Sequence, residues 1–573
     1  MIGKKYKIKA GMVFLCFFGA LFFMAYRLID IQVIDYSKYA YKAKNMHHIK
    51  IPLLAKRGQI YDHNGNVLAM SVPMPSVYAN PQEIKGQASV VAGRRLAEIL
   101  GMEYDVLYQR MTRDKGFVWL KRKITLEQKE RIEKLSMPGI HFLEESTRFY
   151  PKNKLAGHVL GFVNIDNEGM EGIELMFNEY LAGRPGQRLS EKDAAGREVI
   201  TWRSLDTPAV NGNNIVVTLD EVIQYFVEEE LNEAMEKYHP QSAIAVVMDP
   251  GTGEVLAMAN RPNYDPNTFN TAKKDNMKNR AVTDCFEPGS VFKMFIAAAA
   301  LEENLYNLHD TIFCENGAYR VPGGTLHDHR PHGMLTFQQV VEKSSNIGMA
   351  KVGQKMGKEV VYQYMKDFGF GSRTGILLPG EIAGITHPPI GWSRMSVTRI
   401  PMGHEVAVTA IQLAAAVSVI ANGGKLMQPL IVKKITDNQG RTVKMFHPRV
   451  IRDVINQDIA GELTIALEGV VGPQGTAGMA ALSEFRVAGK TGTSQKINPD
   501  GTYSHKDFIG SFIGFVPAHN PRLVIAVILD SPKPYYYGGV TAAPVFKNIA
   551  RKTLAYLDVE PGKRDADNMM AKK

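Results

Sequence analysis

The sequence predicts an α+β protein. Its main body is an antiparallel five-stranded sheet flanked by helices, carried on an elongated α+β pedestal behind one N-terminal transmembrane helix. Three observations predict this. The apolar run AGMVFLCFFGALFFMAY lies near the start of the chain, two β-type segments around residue 250 are matched by three more near the C-terminus, and most of what lies between reads as helix.

The chain has 573 residues, 45% hydrophobic and 22% charged, enough for two or more packed domains. Its net charge of +10, from 68 basic and 58 acidic residues, is spread along the sequence. No basic stripe is interleaved with aromatics, which argues against a nucleic-acid role. Three cysteines, Cys16, Cys285 and Cys314, allow at most one bridge, Cys285 to Cys314, and no disulfide framework.

Residues 10–31 read as a membrane anchor, Leu28, Ile29 and Ile31 extending the apolar run. Lys4, Lys5, Lys7 and Lys9 precede it, so the positive-inside rule puts residues 1–9 in the cytoplasm and the body outside. No small-x-small cleavage site follows, which favours an uncleaved anchor in the cytoplasmic membrane over a signal peptide. Residues 32–208 form the expected pedestal, with a hairpin turn at Asn64–Gly65, a helix in ASVVAGRRLAEILG and turn chemistry in EKDAAGREV. Residues 209–557 form the expected compact domain. IVVTLDEVIQYFVEEELNEAMEKY is a strand and an amphipathic helix, and SAIAVVMDPGTGEVLAMAN is two strands about a glycine-rich turn. EFRVAGKTGTSQ, KDFIGSFIGFVP and LVIAVILD supply three more strands, then a terminal helix from about Ala543; residues 558–573 read as a disordered tail.

The chemistry is concentrated in three short motifs. In FEPGSVFKMF, Ser290 and Lys293 are three apart, one helical turn, so an amine and a hydroxyl share a face. The apolar helix former that follows would bury Lys293 and lower its pKa, making it a base for a serine nucleophile. A surface helix capped by Ser290 is the plainer reading. KSSNIG sets Ser344 and Asn346 on one side of a turn, and AGKTGTS sets Lys490, Thr491, Gly492 and Thr493 on a strand whose glycine leaves room for a ligand backbone. Each alone reads equally well as a cap or a surface lysine; the ordered set S-x-x-K, S-x-N, K-T-G is far rarer.

With these motifs, and with RGQIYDHNGNVLA, EGMEGIE and MGHEVAVTAIQLAAAVSVIANGG, the chain resembles the class B penicillin-binding proteins, septal peptidoglycan D,D-transpeptidases of the FtsI type, from the anchor to about Val559. The resemblance implies a penicilloyl-serine transferase fold on a pedestal of the dimerisation type, and cross-linking of stem peptides through a serine acyl-enzyme in division. Elongation and sporulation forms share the motifs. The small C-terminal β-lactam-binding repeats of some relatives are not expected here, which leans away from sporulation.

It also implies roles: Ser290 as nucleophile, Lys293 as base, Ser344 and Lys490 as a proton route, and Asn346 on the substrate amide. Thr491 and Thr493 would hold the terminal carboxylate beside Gly492, with the backbone N–H groups of Ser290 and Thr493 as oxyanion hole. The expected partners are stem peptides, inhibitory β-lactams, an FtsW-type membrane glycosyltransferase and other division proteins. No cofactor and no resident metal is expected, although Asp310, Cys314, Asp328 and His332 have ligand types suited to zinc. Among other readings, a β-lactamase would need a deacylating glutamate, and the single E-x-x-L-N string, Glu228 to Asn232, precedes Ser290. A D,D-carboxypeptidase would use water as acceptor, and an inactive division scaffold need not keep the three motifs.

Overall fold

The computed structural model describes residues 3–84, 88–192, 198–199, 205–322, 324–498 and 500–561. Two compact units emerge, Met1–Lys56 with Gly183–Asn211, and Arg57–Ala182 with Gly212–Lys573. The first contains helix α1 (Gly3–Ile29), with a π-helical turn at Asp30–Ile34 and a helix at Tyr36–His47. The Gly3–Ile34 segment is long and apolar enough to cross a membrane, and it starts earlier than the sequence reading because the lysine-rich approach is itself helical. Strands His48–Leu53, Gly186–Lys192, Glu198–Val199 and Leu205–Thr207 make a small sheet in this unit. The expected turn inside EKDAAGREV falls outside the described residues, as does residue 562 onward of the expected tail.

In the second unit, the expected central sheet forms from β1 (Ser242–Met248), β2 (Val255–Arg261), β3 (Ala488–Ile497), β4 (Tyr503–Val516) and β5 (Leu523–Asp530), in the order β2-β1-β5-β4-β3. All neighbours are antiparallel. β1 and β5 are almost wholly buried, which explains their unbroken apolar runs, and β3 is left as an edge strand. Helix α2 (Glu221–Tyr238), N-capped by Asp220, packs on β2, and the terminal helix α6 (Gly538–Tyr556) on β4 and β5.

Between the strands come α3 (Lys293–Glu302), α4 (Phe337–Glu342) and α5 (Asn346–Met356). α3 is buried along nearly its whole length, so no polar face was available to mark it as amphipathic. α6 starts five residues before the expected Ala543. A Cβ on Gly538 would lie 2.2 Å from the Ser511 carbonyl oxygen, so the glycine in the first turn is there for close approach.

A second, seven-stranded sheet ties the pedestal to this domain. Its order runs Thr442–Met445, Val432–Thr436, Asn214–Val217, Ile60–Tyr61, Val67–Ala79, Val118–Lys121, with Ile140–Phe149 on the other edge of Val67–Ala79. The chain therefore passes between the two regions through paired strands. Beside it, Arg57 and Arg148 each donate to the buried Glu174 carboxylate at 2.6 Å, and Arg57 also reaches the Asn178 side chain at 2.7 Å. Burial lowers the Arg57 pKa from its ordinary value while Glu174 pulls it back up. Glu228 is similarly occupied, by the Ala156 N–H, Gln224 and Arg261, so the E-x-x-L-N string is part of this scaffold.

Candidate active site

The three motifs converge where α3, the α4–α5 turn and edge strand β3 meet. Ser290 sits half-buried in a 3-10 turn, Gly289–Phe292, that runs directly into α3. Lys293, the first residue of that helix, is fully buried and pointed away from solvent. Its Nζ donates to the Ser344 carbonyl at 2.7 Å, to Ser344 Oγ at 3.1 Å and to Asn346 Oδ1 at 2.7 Å. The expected contact within the S-x-x-K motif is not among these bonds: the amine reaches across to the S-x-N turn, one turn along from the serine. Burial pushes the Lys293 pKa down to about 7, and the nearby Asp328 charge works in the opposite direction.

Lys490 arrives from β3, also fully buried, and donates to Ser344 Oγ at 3.0 Å and to the Thr491 carbonyl at 3.3 Å. Its pKa lies well below the ordinary lysine value, first through burial and second through repulsion from Lys293. Repulsion between the two amines thus acts on Lys490, whereas Lys293 is depressed by burial. Ser344 holds a left-handed backbone, φ 57°, uncommon for a non-glycine residue and found where surroundings over-determine it.

Lys490, Gly492 and Ser494 share one face of β3 by strand periodicity, and that face packs on the Ser290 turn. Ser494 Oγ donates to the Glu287 carbonyl at 2.7 Å. The room beside Gly492 is taken by the chain itself: a Cβ there would lie 2.3 Å from Ser511 Oγ and 2.8 Å from the Pro288 carbonyl oxygen, so the glycine serves helix-to-strand packing and not, as its motif suggested, a ligand backbone. Thr491 and Thr493 are on the opposite face, Thr491 Oγ1 2.9 Å from Thr476 Oγ1 and Thr493 Oγ1 accepting from the Gly538 N–H at 3.2 Å.

The zinc-type residues do not gather. Asp310 accepts from Asn307, Cys314 Sγ lies 3.4 Å from Ser345 Oγ, and Asp328 caps α5; among the described residues no three such side chains form a metal-holding group. Sequence reasoning missed the supports behind the motifs. Glu287, three residues before Ser290, meets His404 Nδ1 at 2.8 Å, the Glu405 N–H at 2.9 Å and the Tyr503 hydroxyl at 3.1 Å. Gly403 packs so tightly on Gly289 that a Cβ would be 2.1 Å from its oxygen. The only signal for these was the MGHE string, whose glycine precedes the histidine.

Two buried lysine amines thus share one serine hydroxyl, and Ser290 stands three residues before the first of them. Residues 243–551, more than half of the chain, match the penicillin binding protein transpeptidase domain. The chain belongs to the penicillin-binding proteins. Residues 52–217 match the penicillin-binding protein dimerisation domain, the class B arrangement. This penicillin-binding protein is 36% identical over 570 residues to Stage V sporulation protein D of Bacillus subtilis, covering 98% of this chain and 88% of that one. It is 34% identical over 553 residues to peptidoglycan D,D-transpeptidase FtsI of Escherichia coli, covering 95% and 91%. Among solved structures it is similar to a peptidoglycan synthetase from Bifidobacterium adolescentis, with TM-score 0.73, 29% identity, and 90% and 98% of the two chains covered. Penicillin binding protein 3 from Mycobacterium tuberculosis, complexed with aztreonam, aligns with TM-score 0.71 and 30% identity over 89% and 98%.

Proposed function

We propose that this penicillin-binding protein cross-links peptidoglycan stem peptides through an acyl-enzyme on Ser290, and that it does so in the division septum. The observation that carries the reading is Lys293: a fully buried amine with its pKa lowered to about 7, one helical turn from a half-buried serine and bonded to the S-x-N turn. Such an amine is neutral often enough at physiological pH to accept a proton.

Ser290 Oγ would attack the carbonyl carbon of the penultimate D-alanine while its proton passes to Lys293 Nζ. Backbone N–H groups of Ser290 and Thr493 would take the negative oxygen, each donor typically worth about 3 kcal/mol. Collapse breaks the C–N bond, and the proton reaches the leaving D-alanine amine through Ser344 Oγ, which lies between the two lysines. A stem-peptide amine then displaces Ser290 from the ester, forming the cross-link and returning the serine proton. Asn346 would hold the donor amide, and Thr491 and Thr493 its carboxylate.

The apolar N-terminal helix supports membrane anchoring, and the lysines ahead of it support an inside N-terminus with the catalytic domain outside. Anchor and pedestal would bind an FtsW-type glycosyltransferase. A sporulation role is the second reading, favoured by the identity with Stage V sporulation protein D.

Intact mass of the full chain in detergent after brief exposure to benzylpenicillin tests the chemistry. A stable adduct on wild type, absent in Ser290→Ala, is expected; hydrolysed drug without adduct would instead mean a β-lactamase. The septal role is tested by the position of a fluorescent fusion in dividing cells, where an even distribution along the wall would refute it.

A further inference from the structure

We propose that Asp328 is a positioning residue for acylation: its carboxylate holds the Ser344–Asn346 turn in register and supplies the negative charge that acts on the buried Lys293. The inference rests on the transpeptidase reading of this site and adds to it a residue outside the three motifs.

The geometry is specific. Asp328 Oδ1 accepts from the Asn346 N–H at 2.5 Å and the Ile347 N–H at 3.0 Å, and Oδ2 accepts from Ser345 Oγ at 2.6 Å. Ser345 Oγ in turn caps the Gly348 N–H at 2.9 Å, so the first turn of α5 is tied to one carboxylate. The residue before Asp328 completes the clamp. The His327 carbonyl accepts from Asn346 Nδ2 at 2.9 Å, which turns Asn346 Oδ1 toward Lys293. Ser344 lies next to this clamp with its left-handed backbone, and that conformation directs both its carbonyl and its hydroxyl onto Lys293 Nζ. A strained residue of this kind persists only while its neighbours hold it. Without the carboxylate, the two backbone N–H groups and the Ser345 hydroxyl would all lose their acceptor.

The charge matters as well as the shape. The groups facing Lys293 are Lys490 from β3, Asp328 from the loop, and the Ser344 and Asn346 side chains from the turn. Around Asp328 itself stand Cys314 from the neighbouring strand end, His327 and His329 in its own loop, and Lys351 on α5 near Cys314. Of the groups influencing the buried amines, Asp328 is the one that attracts the Lys293 proton, while Lys293 repels the proton of Lys490.

Two variants of the full chain in detergent separate shape from charge, read by the rate of acylation with a fluorescent penicillin across pH. Asp328→Asn keeps an acceptor oxygen for the two N–H groups but removes the charge. Its rate at high pH is expected to stay within about fivefold of wild type, while the rising limb moves to lower pH by roughly half a unit or more, because the charge that retained the Lys293 proton is gone. Asp328→Ala removes the acceptor too, and acylation is expected to fall by about tenfold or more at every pH. A limb that does not move in Asp328→Asn overturns the proposal, since a residue serving only as a helix cap would change amplitude alone. Asp328→Ala acylating within about twofold of wild type overturns it equally. If Asp328→Ala does not fold, as judged by melting, the Asp328→Asn limb decides. Failure of wild type itself to acylate would refute the transpeptidase reading, a different outcome from wild-type behaviour in both variants.

Discussion

Lys293 and Lys490 meet on one hydroxyl: their amines lie 3.1 and 3.0 Å from Ser344 Oγ, and both are fully buried. Neither amine can stay charged cheaply in that setting, and burial lowers the pKa of both. This relation joins an α-helix, a turn and an edge strand drawn from nearly two hundred residues of chain.

The first prediction concerns pH. Lys293 has its pKa lowered from 10.5 to about 7, so its neutral amine, the form the proposed base role requires, accumulates as pH rises through about 7. The acylation rate constant of wild type is therefore expected to climb with pH below about 7 and level off above it. Lys293→Arg keeps a cation but abolishes the base, and should lower acylation by roughly 10²–10⁴-fold at all pH values. Rapid-mixing measurement with a fluorescent penicillin checks both; a wild-type limb near pH 10 would show that Lys293 is not the titrating base.

Gly492→Ala tests the packing of the K-T-G strand on the Ser290 turn. The new methyl would lie 2.3 Å from Ser511 Oγ, 2.8 Å from the Pro288 carbonyl and 2.8 Å from Val291 Cγ2. Ser511 can rotate, but Pro288 is backbone two residues before Ser290, so the strand must move away from the serine. We expect about 1–3 kcal/mol of destabilisation and a fall in acylation of at least about 10²-fold, since sub-ångström displacement of reacting groups is costly. Unchanged acylation with lowered melting temperature would mean that the strand position does not control the serine.

Much of this arrangement is legible in the residues before any coordinates, and what is not has physical reasons. β1 and β5 announce themselves as unbroken apolar runs bounded by turn residues because both faces are covered. The strand Ile140–Phe149 is missed because HFLEESTRF has polar residues on both faces, and its pairing with Val67–Ala79 depends on a partner far along the chain. The motifs name Ser290, Lys293, Ser344, Asn346 and Lys490, and the structure bonds the last four together; which acceptor each amine selects is a matter of three-dimensional packing that spacing does not encode. Asp328 illustrates the gap. Its residue type suited a metal, whereas its oxygens are used on N–H groups of α5. Gly492 was read as room for a ligand backbone, and it proves to be a point of close approach within the chain.

Glu174 should be among the most sensitive positions of the pedestal. It is fully buried, and Arg57 and Arg148 both depend on it for charge balance. Glu174→Ala would leave two buried guanidinium groups facing a cavity, and removal of one partner from such a set typically costs about 3–5 kcal/mol. Chemical denaturation of the full chain in detergent measures this. A loss below about 1 kcal/mol would indicate that water or the neighbouring carbonyls replace the carboxylate.

His158 gives a stability prediction whose sign can be worked out. The ring is buried, Nε2 donates to the Asn276 carbonyl at 2.8 Å, and burial holds its pKa down at about 4, against 6.5 for an exposed histidine. Nearby Arg261 and Arg280 push the same way, while the hydrogen bond to Asn276 opposes them. Because the folded pKa is below the unfolded one, the unfolded chain takes up the proton first as pH falls. Stability contributed by the neutral ring is thus intact above about pH 6.5 and is lost progressively toward pH 4. The full interval corresponds to roughly 3 kcal/mol at 1.36 kcal/mol per unit. His158→Gln removes the titration while keeping a donor able to reach a carbonyl. Between pH 7.5 and 4.5, wild type is expected to lose about 2–3 kcal/mol more than the variant, measured as the difference in denaturant-unfolding free energy. Equal losses in the two proteins would mean that the His158 ring is protonated in the folded state, so that its burial by the loop around Asn276 does not exclude water.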